Sequence, residues 1–158
     1  MIKAWRLIKT KYLPNAFTGD GASLEGGRWN SAGVRVVYAS SSPSLALLET
    51  LVNIESIVPL PAYSLVSVDF ETGLVEHLRQ SSLPLNWLQY PPPIETQQLG
   101  DRWVAEGRSC VLAVPSTVVT QDVNYILNPT HPAFSSLLIG PPTQFTIDPR
   151  LLALIGSA

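Results

Sequence analysis

The chain has 158 residues and a formal net charge of −2, with 46% hydrophobic and only 14% charged residues. This length suits one folded domain, and the apolar content excludes a disordered chain. Because lysine and arginine nowhere form a cluster, the composition argues against a nucleic-acid-binding surface. So few charges also suggest that a partner covers part of the surface.

The single cysteine, Cys110, cannot form an internal disulfide, and it lies in an apolar run that is typical of a buried strand. No basic segment precedes an apolar stretch, as a secretory signal requires. No apolar run approaches the roughly 18 residues of a membrane span. We therefore expect a cytoplasmic protein that is neither secreted nor membrane-spanning.

In chain order, the first predicted strand covers residues 4–8, and a long loop follows over residues 14–33. This loop holds five of the ten glycines, and a loop of this length in a compact domain is usually functional. A β-branched and aromatic run predicts the next strand over residues 34–39. Later patterns predict strands over 63–70, 110–114, 124–127 and 142–147 and a helix over 95–106. Short strands mixed with a few helices predict an α/β or α+β fold.

A further helix is predicted to follow the second strand, with Ser42 as its cap and Pro43 in its first position. The spacing places Leu45, Leu48 and Val52 on one apolar face. Glu49 lies about 40° from Leu45 around the helix, at the edge of that face. Because a buried carboxylate is costly unless it is paired, we expect Glu49 to have a cationic partner, for which Arg28 is the natural candidate.

The segment Gly26-Gly27-Arg28-Trp29-Asn30 has the residue types of an anion-binding loop. Adjacent glycines let the backbone approach a ligand closely, and the Arg28 guanidinium matches a phosphate or a carboxylate. Tyr38, at the end of a predicted strand, can present both a ring face and a hydroxyl. Structural interpretations remain open at this point: an Arg28–Glu49 ion pair, a core tyrosine and a plain glycine turn.

Several linked motifs carry a resemblance to a known family. They are residues 19–33 with their glycines, Val37-Tyr38-Ala39, residues 45–52, Val114-Pro115-Ser116 and Asn128-Pro129-Thr130-His131-Pro132. In this order they resemble the RES-domain toxin family over nearly the whole chain, which we interpret as a single RES domain over residues 1–158. The Arg, Glu and Ser that name the family match Arg28, Glu49 and Ser116. Asn53, where many members have His, and the Leu24-Glu25 pair depart from the family pattern.

The resemblance implies an ADP-ribosyltransferase-like fold, with split mixed sheets and flanking helices. It also implies the toxin of a bacterial toxin–antitoxin pair, which acts on NAD⁺ and is held inactive by a helix-turn-helix antitoxin of the Xre type. Direct binding of nucleic acid or membrane is not expected, since DNA binding would belong to the antitoxin.

Three residues are expected to be catalytic: Glu49, Arg28 and Tyr38. Glu49 would stabilise an oxocarbenium-like ribose, and Tyr38 would stack on the nicotinamide ring. Arg28 and Arg6 are expected to hold the pyrophosphate, and Ser116 to bind a ribose or to orient Glu49. No metal site is expected, because His77 and His131 are far apart in the sequence and Cys110 is buried. We expect His131, between two prolines, to be structural.

Two alternatives to NAD⁺ cleavage remain open. The same residues would serve ADP-ribosylation of a protein, so the acceptor of the ADP-ribose stays undetermined among water, phosphate and a protein. A non-catalytic module that only docks the helix-turn-helix partner is the other alternative, and the intact set of Arg28, Tyr38, Glu49 and Ser116 argues against it.

Overall fold

Short strands alternate with helices along the chain, and the computed structural model describes residues 1–156. The strands are β1 (Ile2–Lys9), β2 (Val37–Ser40), β3 (Tyr63–Phe70), β4 (Val75–His77), β5 (Val111–Pro115), β6 (Val123–Leu127), β7 (Leu138–Ile139) and β8 (Thr143–Phe145). The α-helices are α1 (Asp20–Glu25), α2 (Pro43–Leu51), α3 (Ile94–Glu106) and α4 (Pro149–Gly156). No helix in this range is long and apolar enough to cross a membrane.

The strands form one curled mixed sheet in the order β4-β5-β6-β2-β1-β3-β7, with β8 also paired to β3. Only the β4–β5 pair is parallel among the described strands. β1 and β3 pair along their whole length, from Ile2↔Phe70 to Lys9↔Tyr63, whereas β1 and β2 share the single registered pair Trp5↔Ser40. The sheet is therefore nearly split between β1 and β2, and the predicted α/β fold with flanking helices is confirmed.

Both faces of the sheet are buried, because successive side chains of a strand point to opposite faces. Val111 lies in one apolar cluster, with Val37, Val68 and Phe70. Its neighbour Leu112 lies in a second cluster on the other face, with the helix residue Trp103. Burial of each such side chain contributes roughly 1.5–3 kcal/mol to folding. Cys110 is fully buried, as predicted, and burial raises the pKa of its thiol to about 11.

The predicted long loop over residues 14–33 is wrong in part, because it contains α1 and the end of a 3-10 helix over Thr10–Asn15. α1 has only six residues, between Gly19 and Gly26 with φ of 79° and 78°, so no periodic apolar pattern marks it in the sequence. β2 begins at Val37 and not at residue 34, since the chain first turns at Gly33, where φ is 94°.

The predicted apolar face of α2 is also wrong. Ser42 caps the helix as expected, its Oγ accepting a hydrogen bond of 3.1 Å from the Leu45 amide. The buried pair is Leu45 and Ala46, whereas Leu48 and Val52 are 38% and 62% exposed. The packing against β1 and β2 decides which face is covered. Glu49 follows Leu45 by four residues and Ala46 by three. It therefore lies on the covered side of α2 and not at the edge of that side.

Candidate active site

The carboxylate of Glu49 is the centre of a hydrogen-bond network that joins three elements. Its Oε1 accepts from the Ser116 hydroxyl at 2.7 Å and from the Asn124 amide Nδ2 at 2.6 Å. Ser116 directly follows β5, and Asn124 lies in β6. Within residues 1–156 nothing hydrogen-bonds Oε2 of Glu49, so one carboxylate oxygen is held by two donors and the other keeps its capacity to accept hydrogen bonds.

Ser116 is fully buried, and its hydroxyl is fixed in direction. The oxygen accepts from the backbone amides of Val118 at 3.0 Å and Val119 at 3.1 Å. A serine hydroxyl has only one proton to donate, and here that proton goes to Glu49. Of the two expected roles, the geometry therefore favours orientation of Glu49 over direct contact with a ribose.

Asn124 belongs to the site, although sequence reasoning missed it. It pairs with Ser40 across β2 and β6, so both side chains lie on the same face of the sheet as Tyr38, two residues away along β2. The only signal was an asparagine in an otherwise apolar and aromatic strand, a position that this residue type disfavours.

Tyr38 connects β2 to the glycine-containing loop. Its hydroxyl donates to Oδ1 of Asn30 at 2.6 Å and accepts from the Trp29 amide at 3.0 Å. Burial raises the pKa of Tyr38, so the hydroxyl stays protonated. A Cβ on Gly27 would lie 2.6 Å from this hydroxyl oxygen, which explains why glycine occupies the position.

The loop is held on two further sides by residues outside the predicted site. The Asn30 side-chain amide donates to the backbone carbonyls of Ala22 at 2.9 Å and Val34 at 3.0 Å. Asp101 on α3 accepts from the Ser31 amide at 2.9 Å and from its hydroxyl at 2.5 Å. The segment that carries Arg28 is therefore held by hydrogen bonds to α1, to the turn before β2 and to α3.

Arg28 does not form the expected ion pair with Glu49. Its Nη1 donates to the backbone carbonyls of Trp87 at 2.9 Å and Gln89 at 2.7 Å, while Ser116 and Asn124 satisfy Glu49. Burial lowers the pKa of Arg28, and the negative charge of Glu49 acts in the opposite direction. The two groups thus interact electrostatically across the site without direct contact.

Arg6 lies in β1, where β1 and β2 separate. Its Nη1 donates to the backbone carbonyl of Tyr38 at 2.8 Å, and its buried Nε has no hydrogen-bond partner among the described residues. Burial lowers the pKa of Arg6 to about 10. A buried donor without a partner is costly, and a bound anion would offset that cost.

The two histidines are placed as the sequence suggested. Nδ1 of His131 accepts from the Ala133 amide at 3.1 Å and caps the 3-10 helix Pro132–Ser136, which is a structural role. His77 is exposed at the end of β4.

Glu49 and Tyr38 both act electrostatically on Arg28, and Arg6 contacts the backbone carbonyl of Tyr38. These four residues are the candidate site. A fixed carboxylate in a partly buried site stabilises a developing positive charge more strongly than it would in water. The guanidinium groups can bind phosphate oxygens. The arrangement therefore suits a ligand that combines phosphate groups with a carbon centre that becomes cationic.

Comparison with known proteins places the chain among toxins. The RES domain profile matches residues 3–148. A protein of Yersinia enterocolitica named Toxin Res is 38% identical over 148 residues, which cover 93% of this chain and 97% of that protein. A Sphingobium protein named Prs ADP-ribosylating toxin is 33% identical and covers 94% of this chain and 95% of its own length.

The fold also has a solved counterpart. A chain in the crystal structure of the Mycobacterium tuberculosis MbcT–MbcA toxin–antitoxin complex superposes with a TM-score of 0.74, over 99% of this chain and 90% of that chain. Its sequence is 16% identical, so this likeness concerns the fold alone. The profile and the two relatives align over nearly the whole sequence, as the motifs from Gly19 to His131 predicted, and the chain therefore belongs to the RES domain family.

Proposed function

We propose that the protein is a toxin that binds NAD⁺ and breaks its nicotinamide–ribose bond, which depletes NAD⁺ and arrests growth. One observation carries this proposal: both hydrogen bonds to the Glu49 carboxylate reach Oε1. Its second oxygen is left for the substrate. The names of the relatives agree with a toxin.

The chemistry of NAD⁺ fits such a site. The pyridinium ring is already a cationic leaving group, so its departure needs no general acid. The bond from the ribose C1′ to the ring nitrogen breaks with its electron pair on the nitrogen, and the ribose becomes oxocarbenium-like. Glu49 would stabilise this cation and bind a ribose hydroxyl. A water molecule would then form the new C1′–O bond and release a proton.

The remaining site residues would hold the substrate. Arg28 and Arg6 are the groups that match the pyrophosphate. The ring of Tyr38 would stack on the nicotinamide while its hydroxyl holds the loop at Trp29 and Asn30. Nothing in this assignment requires a metal ion.

Transfer of ADP-ribose to a protein is the second candidate function, because the Sphingobium relative is named an ADP-ribosylating toxin. The same Glu49 would serve it, with a protein nucleophile in place of water. The product distinguishes the two reactions: free ADP-ribose accumulates in the first, and a labelled protein in the second.

The partner that we propose is a helix-turn-helix antitoxin that covers the site. The structural counterpart comes from a toxin–antitoxin complex. Near Arg28, the segment that supplies the Trp87 and Gln89 carbonyls carries exposed Leu85, Leu88 and Tyr90. Exposed apolar side chains of this kind are typical of protein–protein contact. Inhibition by such a partner would be competitive with NAD⁺.

The test is nicotinamide release from NAD⁺ by the purified protein, with Glu49→Gln as the variant. The glutamine keeps the size of the side chain but removes its charge, so we expect a loss of at least about a hundredfold in kcat, as for removal of one main electrostatic group. Circular dichroism and the melting temperature serve as controls for folding. A folded Glu49→Gln protein that consumes NAD⁺ at the wild-type rate would contradict the proposal.

A further inference from the structure

We infer that Asn124 is a positioning residue that holds the Glu49 carboxylate with Oε1 fixed and Oε2 turned to the substrate. The inference rests on the proposed function, since Glu49 is the group that is positioned. The contact is short, 2.6 Å from Nδ2 to Oε1, and charge-assisted hydrogen bonds of this kind are among the strongest in proteins.

The orientation of the Asn124 amide is itself determined. Ser40 is buried and donates its hydroxyl proton to Oδ1 of Asn124 at 2.8 Å. Because the Glu49 carboxylate can only accept, the NH₂ group of the amide must face it, and Ser40 fits this orientation by donating to Oδ1. With Ser40 bound to Oδ1, the Asn124 side chain therefore presents its NH₂ group, a donor, to the Glu49 carboxylate.

The fold alone does not require an asparagine at position 124. Asparagine is disfavoured in strands, and the next residue on the same face, Ile126, is part of the apolar core. The register pairs Asn124 with Val114 on one side and Ser40 on the other. An apolar residue would suit the strand, so the contact with Glu49 accounts for the residue type.

The titratable groups near this contact can be named. Glu49, Tyr38 and Tyr90 act electrostatically on Arg28, and Asp122 directly precedes β6, two residues before Asn124. The two other hydrogen-bonding partners, Ser116 and Ser40, do not titrate in the neutral range. A new carboxyl group at position 124 would thus interact first with Glu49.

The informative variant is Asn124→Asp, with Asn124→Ala beside it. At pH 8 two carboxylates would face each other, so Glu49 would turn away and kcat would fall at least about tenfold with little change in KM. Two carboxyl groups at this distance share one proton as the pH falls. A protonated Asp at 124 can donate to Glu49 as the amide does, so activity should recover as the pH is lowered from 8. The alanine variant should show the loss without the recovery.

Asn53→Asp is the matched control. Asn53 is exposed, and its side-chain amide donates to the backbone carbonyl of Glu49. The same substitution there adds the same charge near Glu49 without touching its carboxylate. We expect wild-type kcat and a wild-type pH profile. An Asn124→Asp enzyme that keeps the wild-type kcat at pH 8, or that follows the control at every pH, would overturn the inference.

A second measurement does not depend on activity. In Asn124→Asp the folded state holds a shared proton that the unfolded state releases, so the folded state binds more protons. The variant should have a lower free energy of unfolding than the wild type, and this deficit should shrink as the pH falls. A deficit that is independent of pH would overturn the contact between positions 124 and 49. The two proposals can fail separately. If the stability deficit depends on pH but the wild-type protein releases no nicotinamide, the proposed function is refuted and the contact between Asn124 and Glu49 is retained.

Discussion

At the scale of single residues, one side chain often serves two parts of the site. The ring of Tyr38 packs against the apolar cluster that contains Trp103, and its hydroxyl makes two hydrogen bonds to the loop at Trp29 and Asn30. The structural interpretation of Tyr38 and the functional one are therefore compatible, since the same contacts that bury the ring bring the loop to the site.

Tyr38→Phe separates these contributions. It removes the hydroxyl and leaves a buried amide and a carbonyl oxygen without their partner, which costs about 1–3 kcal/mol of stability. The ring remains, so we expect NAD⁺ cleavage to persist below the lowered melting temperature, whereas Tyr38→Ala should lose most of it. Thermal melts and nicotinamide release check this. Equal inactivity of the two variants at a temperature where both are folded would show that stacking is not the role of Tyr38.

At the scale of secondary-structure elements, α3 holds the loop through a very close approach. A Cβ on Gly100 would come within 1.6 Å of the backbone oxygen of Trp29, so only glycine lets the helix lie against the loop at this point. About one turn before Gly100, Gln97 donates to the Gly27 carbonyl at 3.0 Å. Directly after Gly100, Asp101 accepts a hydrogen bond from the Ser31 amide. Three successive contacts of α3 thus fix the position of Arg28.

Gly100→Ala should therefore be costly although alanine is the better helix former. The added methyl group meets backbone and not a flexible side chain, so we expect a loss of about 3 kcal/mol or more. Gly21→Ala in α1 is the matched control: a Cβ there has no neighbour within 4 Å, and the exchange should stabilise the protein by up to about 1 kcal/mol. Urea unfolding measures both. A Gly100→Ala protein as stable as wild type would show that the helix and loop can separate at no cost.

At the scale of the whole molecule, the near-split of the sheet lies beside a half-buried cation, Arg6. β1 and β2 share one registered pair, and Arg6 bonds β2 through the Tyr38 carbonyl while its Nε stays without a partner in the described chain. Such an arrangement is unfavourable for stability alone, and proteins keep unfavourable groups mainly where function needs them.

Arg6→Met tests whether Arg6 lowers stability and contributes to substrate binding. It removes the buried Nε that has no partner and puts an apolar side chain of similar length in its place. The melting temperature should therefore rise, by roughly 2–4 °C for each 1 kcal/mol gained in a domain of this size. The KM for NAD⁺ should rise as well, because one group that matches the pyrophosphate is lost. Calorimetry and steady-state kinetics measure the two effects. A more stable variant with unchanged KM would assign Arg6 to the fold and not to the substrate.

Local sequence patterns and ordered motifs were enough to establish the kind of fold and the family, and they predicted the charged residues of the candidate site. Alternating and helical patterns predicted most strands and the helices α2 and α3, because apolar periodicity and caps such as Ser42 are local signals. The ordered motifs predicted Arg28, Glu49 and Ser116 as site residues before any contact was known.

The hydrogen-bond partners of these residues became known from the tertiary structure. The expected Arg28–Glu49 pair does not form, since Trp87 and Gln89, 59 and 61 residues after Arg28, supply the carbonyls that bind its guanidinium. Asn124 reaches Glu49 from 75 residues away, and strand register, not sequence spacing, brings them together. Hydrogen bonds between distant segments depend on how the elements pack, and no local pattern in the sequence records that packing.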